Sequence, residues 1–230
     1  MNIEEAKAKG LYDLPQALDN EQSKKYMAYN KFVEEFLKED PRELNSFTEK
    51  KALFLLLWAT MYDKRMETDL NYMKEMSVLD IRAKSGQMVE MLTGNGHCKT
   101  AVGVDMVKPW VEYANKKGRN VIYREDPTQL PFSDGAFDIV YSYKTFGRVP
   151  DNKAFLKELI RVSKKYVFLL IDDIAKDRNM QYTSTLDLRV YKKWAIEFGG
   201  VELTLANNPV SNRQDEKLMA IYNKGCGGTE

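Results

Sequence analysis

The rhythm of apolar and polar positions changes once along the chain, near residue 77. Before that point the spacing is helical. Tyr26, Tyr29, Phe32, Val33, Phe36 and Leu37 line one face of a helix predicted over Asp19–Glu39, and Pro41 ends it. Ser46 and Glu49 make a capping box that opens a second helix. That helix contains ALFLLLWATMY, Ala52–Tyr62, which is apolar on every side. A helix of this kind is buried against more than one neighbour. Packing between the first helix and a sheet domain accounts for it, and an interface with a homo- or hetero-oligomeric partner is the sharper alternative. Asp69–Met76 adds one more helical piece. Residues 1–76 are thus expected to form a helical cap or extension.

From Ser77 onward short β-rich runs alternate with amphipathic segments, the pattern of a parallel sheet flanked by helices. Strands are expected at Val78–Ile81, Thr100–Asp105, Val121–Glu125, Phe137–Tyr143, Tyr166–Ile171, Val201–Ala206 and Lys217–Tyr222. Helices are expected at Gln87–Leu92, Lys108–Lys117, Asn152–Lys164 and Thr185–Phe198, with Asp151 as N-cap of the third. No helix separates the last two strands, which predicts an antiparallel hairpin at one end of the sheet. The expected fold is α/β, a Rossmann-like seven-stranded, mostly parallel sheet over residues 77–224, followed by a flexible tail, GCGGTE, at 225–230.

Composition narrows the field. The 230 residues are 43% hydrophobic with a formal net charge of +1, so no global field draws the chain to nucleic acid or a membrane surface. Cys98 and Cys226 have no metal-ligand spacing, and a reducing, cytoplasmic setting fits them. No metal is expected. The first ten residues carry no apolar signal core, and the longest apolar run, Ala52–Ala59, is too short to span a bilayer.

In a doubly wound sheet, ligands bind outside the carboxyl ends of the strands. That rule gathers Asp80, Arg82, Lys84, Asp105, Met106, Asp126, Ser142, Tyr143, Lys144, Asp172 and Asp173 at one edge. His97, the sole histidine, falls with Cys98 at the opposite edge, which argues against Ser/His/Asp or Cys/His catalysis. Asp105 ends the second strand, where an acid can accept from both ribose hydroxyls of a nucleoside; capping of the next helix is the competing role. Asp126 follows the third strand and is suited to accept from an exocyclic amine or to close its own turn.

The stretch YREDPTQLPFSDGAFDIVYSYKTFGRVPDNKAFLKELIR, Tyr123–Arg161, carries D-x-x-x-LPF, then DGAFDIV, then a helix ending ELIRVSK. These pieces resemble the class I S-adenosylmethionine-dependent methyltransferases, most specifically at LPFSDGAFDIV, over about Ser77–Asp172 and more weakly to Tyr222. The resemblance implies that Asp80 lies near the methionine amino group of S-adenosylmethionine and that Asp105 holds the ribose. Met106 would line the adenine pocket and Asp126 would face the adenine amine. Ser142 and Tyr143 would stand where donor and acceptor meet. The N-terminal helices would form the variable cap over the substrate.

The family's first loop runs D-x-G-x-G-x-G, whereas here Arg82 and Lys84 precede the remaining Gly86. Pro127 also lacks the backbone N–H that the family often turns toward adenine. Three functions are therefore carried forward. The first is methyl transfer to a small molecule or a protein side chain, driven by proximity, with Tyr143 or Asp172 as the available base. The second is a non-catalytic partner or scaffold subunit that has lost donor binding. The third is an altered, anionic ligand held by Arg82 and Lys84.

Overall fold

Strand β1 (Ser77–Ile81) runs through the middle of the sheet, buried on both sides. The computed structural model describes residues 72–94, 98–146, 149–172, 188–207 and 216–223. The helices expected before residue 72, the Ala52–Tyr62 stretch, His97, Asp173 and the 225–230 tail lie outside the described residues. Within Asp69–Met76, expected to add one more helical piece, the described residues form a short 3-10 helix, Tyr72–Glu75.

After β1 come α1 (Gln87–Gly94), β2 (Thr100–Asp105), α2 (Lys108–Lys116), β3 (Val121–Tyr123), β4 (Phe137–Tyr143), α3 (Asn152–Val162), β5 (Ser163–Asp172), α4 (Leu188–Glu197), β6 (Gly200–Asn207) and β7 (Glu216–Asn223). They build one seven-stranded sheet in the order β3-β2-β1-β4-β5-β7-β6. The pairs β1–β2, β1–β4, β2–β3 and β4–β5 are parallel. β7 is antiparallel to both β5 and β6, so the final hairpin closes one end of the sheet as expected. The chain moves outward from β1 to β3 and then returns to the other side of β1. The switch point therefore lies between β1 and β4.

Alternation along the strands divides the core into two layers. Val78, Met88, Val89, Val111, Tyr141 and Phe168 pack on one face. Leu79, Ile81, Val140, Phe155, Leu159 and Tyr191 pack on the other. Asp151 caps α3 by accepting from the Ala154 N–H at 2.8 Å.

Several expected boundaries shift, and at three of them strand pairing gives the reason. β3 stops at Tyr123 rather than Glu125, because Tyr123 pairs with Asp105 and β2 ends there. α3 stops at Val162 rather than Lys164, because Ser163 is already extended and paired with Phe137. The Asn223 amide donates to the carbonyls of Ile160 and Ser163 at 2.9 and 2.7 Å, which supplies the helix end without a connecting loop. β5 consequently begins at Ser163, ahead of the expected Tyr166, and an irregularity between Phe137 and Ile139 absorbs the change of register.

At the amino-terminal edge of β1 and β4, Ser77 and Asp138 clasp the two strands. Both the N–H and the hydroxyl of Ser77 donate to Asp138 Oδ2, at 3.0 and 2.9 Å. The Asp138 N–H donates back to Ser77 Oγ at 3.0 Å. The strands that meet at the switch point are thus fixed at their far ends.

Candidate functional site

Parallel pairing brings the ends of β1, β2, β4 and β5 to one edge, and with them Asp80, Arg82, Lys84, Asp105, Met106, Ser142, Tyr143 and Asp172. The loop after β1 is the most unusual stretch of this edge. Arg82, Lys84 and Gly86 have φ of 70°, 52° and 70°. All three positions that would carry glycine in a D-x-G-x-G-x-G loop thus keep the left-handed conformation, two of them with side chains that pay for it in strain.

The loop is held from several directions. The Val104 carbonyl accepts from the N–H groups of both Arg82 and Ala83, at 2.8 and 3.0 Å. Asp105 Oδ2 accepts from the Lys84 N–H at 2.7 Å. From beneath, Arg119 donates to the Ser85 carbonyl at 2.9 Å while its Nε donates to Glu90 of α1 at 2.7 Å. Gly86 has no room for a side chain, since a Cβ there would stand 2.7 Å from Val121 Cγ2 and 3.0 Å from Arg119 Cβ. Gly103 of β2 leaves space for Ala83 in the same way.

Neither cation leans out into solvent. Lys84 is 8% exposed. Arg82 is half-buried, and its Nη1 donates to the Lys144 carbonyl at 3.1 Å. Lys144 follows β4, so this bond crosses the switch point outside the strand ends. Lys144 is itself left-handed, with φ 55°, and its N–H donates to Leu170 at 2.9 Å.

Asp105 is buried, and both of its carboxylate oxygens accept backbone N–H groups, from Lys84 and from Val107 at 2.8 Å. Burial raises its pKa, against the pull of those two hydrogen bonds and of the Arg82 and Lys84 charges. Each oxygen keeps a lone pair, so the carboxylate caps α2, shapes the loop and can still accept from a hydroxyl. Asp80 is buried opposite Tyr141 in the register. Burial, the Asp80 charge and Tyr143 hold the Tyr141 phenol well above its ordinary pKa. The Ser142 hydroxyl is fully buried and has no hydrogen-bond partner among the described residues. Tyr143 is buried at the end of β4, with the Lys144 ammonium 5.7 Å from its ring centre. Met106 is buried next to Asp105.

Asp126 is exposed and closes its own turn. Its Oδ1 accepts from the Thr128 N–H and hydroxyl at 2.8 and 2.7 Å. Pro127 is buried inside that turn. Cys98 sits at the amino-terminal edge, away from the site, its thiol pushed up to about 11 by burial against a weak bond to the Thr100 carbonyl. Among the described residues there is no cluster of three metal-ligating side chains.

Three contributors were not singled out as site residues from sequence: Arg119, Tyr141 and the carbonyl of Lys144. Arg119 and Tyr141 offer no spacing signal, because each is recruited by tertiary contact. Lys144 was visible only as a strand-end residue, and its left-handed backbone is what turns it into a partner for Arg82.

Residues 79–171 match the model of a family described as a methyltransferase domain. Over these residues the chain is similar to the methyltransferases of that family. The chain is 29% identical over 106 residues to a demethylmenaquinone methyltransferase of Staphylococcus saprophyticus, a match covering 44% of this chain and 46% of that protein. The chain thus spans less than half the length of that relative. A solved S-adenosylmethionine-dependent methyltransferase from Thermotoga maritima superposes with a TM-score of 0.57 at 17% identity, over 86% of this chain and 99% of the other. A chain of the complex between the Haloferax volcanii Trm112 methyltransferase activator and its methyltransferase gives 0.51 at 17% identity, over 73% and 96%. At these identities the structural likeness is one of fold. Among the described residues no helix is long and apolar enough to cross a membrane.

Proposed function

We propose that the methyltransferase domain binds S-adenosylmethionine at the carboxyl edge of β1 and β2 and transfers its methyl group to a small molecule or a protein side chain. The observation that carries this reading is the loop's backbone. Arg82 and Lys84 keep the left-handed turn of a glycine loop at an energetic cost of about 1–2 kcal/mol each. A bend with no role in holding a ligand would have no reason to keep that path. Asp105 is the residue for the ribose, since both its oxygens retain acceptor capacity, with Met106 beside it. Asp80, Gly86 and Ser142 line the same edge. Asp126 stands on the adenine side by the family's pattern, committed in this structure to its turn, while Pro127 beside it departs from that pattern by lacking an N–H.

When bound, S-adenosylmethionine supplies an activated methyl group. The chain's part is to orient it, exclude water and, where the acceptor needs it, take a proton at Tyr143 or Asp172. On this reading residues 1–76 form the cap over the acceptor, 77–224 the methyltransferase domain and 225–230 a tail, in a cytoplasmic protein.

The Arg82 bond across the switch point favours a second reading, a methyltransferase-like subunit that no longer binds donor and instead supports a partner. Isothermal titration with S-adenosylmethionine separates the two. Heat of binding below about 1 mM donor, followed by transfer of labelled methyl to a metabolite or protein fraction, is the expected result. No heat at several-fold higher donor with a folded protein would leave the partner reading.

A further inference from the structure

We propose that Arg119 is a positioning residue for the donor: it grips the Ser85–Gly86 peptide from beneath and so stands in for a glycine that the loop after β1 lacks. Its effect on ligand binding rests on the donor reading above, whereas its effect on the loop stands apart from that reading.

The loop needs a grip at this point. Lys84 and Gly86 are both left-handed, with φ of 52° and 70°, and Ser85 lies between them. A lysine favours negative φ, whereas glycine populates both signs about equally. Relaxation at Lys84 would carry Ser85 and the peptide after it to a new orientation. In the structure that peptide is held at both ends. Its carbonyl accepts from Arg119 Nη1 at 2.9 Å. Its N–H, that of Gly86, donates to the Ala83 carbonyl at 3.0 Å.

The arginine is itself fixed. Its N–H donates to the Ala114 carbonyl of α2, and its carbonyl accepts from the Val121 N–H of β3, each at 3.0 Å. Its Nε and Nη2 both reach Glu90 Oε2 of α1, at 2.7 and 2.6 Å. The Arg119 side chain is only 12% exposed, so its bond to Ser85 is both charge-assisted and sheltered from water. A hydrogen bond from a charged donor is of the same order as the strain at one left-handed side chain, so this bond can offset the conformational preference of Lys84. Strained backbone persists where its surroundings over-determine it, and Arg119 ties the bend to α1, α2 and β3 together.

The test is a double-mutant cycle in the full chain. Arg119→Met keeps an aliphatic stem and removes the donors. Lys84→Gly removes the strain that the grip opposes. Two quantities are read in each protein: affinity for S-adenosylhomocysteine by calorimetry, and hydrogen exchange of the amides of residues 82–86 against those of β5 by mass spectrometry. Arg119→Met should weaken S-adenosylhomocysteine about 10-fold and speed loop exchange by a similar factor, with β5 unchanged. In the Lys84→Gly background both effects should fall below about 3-fold. Glu90→Gln, at a side chain 56% exposed, loosens the same grip without threatening the fold and should move both readouts the same way by a smaller factor. An arginine that merely supports the fold would speed exchange in the loop and in β5 together and show equal losses in both backgrounds. That result would overturn the proposal, as would wild-type affinity and loop exchange in Arg119→Met. A wild-type chain that binds no S-adenosylhomocysteine, with loop exchange still coupled to Lys84→Gly, would overturn the donor reading and with it the role in binding, and would leave the grip on the loop standing.

Discussion

A side chain is excluded from a left-handed position by conformation, by lack of space, or by both. Arg82 and Lys84 meet only the first obstacle, while Gly86 meets both, since its missing Cβ would collide with Val121 and Arg119. This explains why one glycine of the three remains. Gly86→Ala should therefore cost about 2–5 kcal/mol, the sum of backbone strain and overpacking. Lys84→Gly should change stability by no more than about 1 kcal/mol, because relief of strain is offset by the freedom glycine gains in the unfolded chain. Chemical denaturation of the two variants checks the contrast; equal losses would show that space is not what keeps Gly86. The positions of Arg82 and Lys84 were legible in the sequence as departures from a motif. Their backbone path was not, because a motif written in residue types does not show whether a substituted loop relaxes or is held. Val104, Asp105 and Arg119 hold this one.

At the scale of the element, strand alternation and helical period carried nearly all of the sheet, and the ends failed where a neighbour decided them. β3 ends with its partner β2, and α3 ends where Ser163 finds Phe137. Such ends are set by pairing between distant segments, which no local pattern contains. The Ser77–Asp138 clasp is of this kind, joining residues 61 apart in the chain. Burial pushes the Asp138 carboxyl up, but the two Ser77 hydrogen bonds and the Lys165 charge together outweigh it and leave its pKa lowered. A lowered folded pKa means that the charged form favours folding. The contribution is fully present above the unfolded value near pH 4 and is lost as pH falls through the folded value. Asp138→Asn should therefore reduce stability at pH 7 and flatten its fall below about pH 4. Melting temperatures of both proteins from pH 7 to 2.5 measure this, and parallel acid limbs would refute the assignment. Because the clasp pins β1 and β4 opposite the switch point, the variant should also loosen the crevice that Arg82 spans.

Across the whole molecule, both faces of the sheet carry a layer of apolar side chains, and among the described residues these run from Met76 to Ile221. On the proposed division of the chain, residues 72–230 fold without residues 1–71, which serve the acceptor or a partner rather than the sheet. Cys98 gives an internal probe of this division. It is buried in the layer packed by α1 and α2, and its thiol is raised to about 11. At pH 8 only on the order of a thousandth of it is thiolate, so alkylation of the folded protein should be very slow and should accelerate steeply on unfolding. A fragment spanning residues 72–230 should melt in one cooperative transition and protect Cys98 from iodoacetamide, followed by peptide mass spectrometry, as well as the full chain does. Rapid alkylation of Cys98 in the fragment, with protection in the full chain, would mean that residues 1–71 complete the core. They would then be part of the fold rather than a cover for its edge.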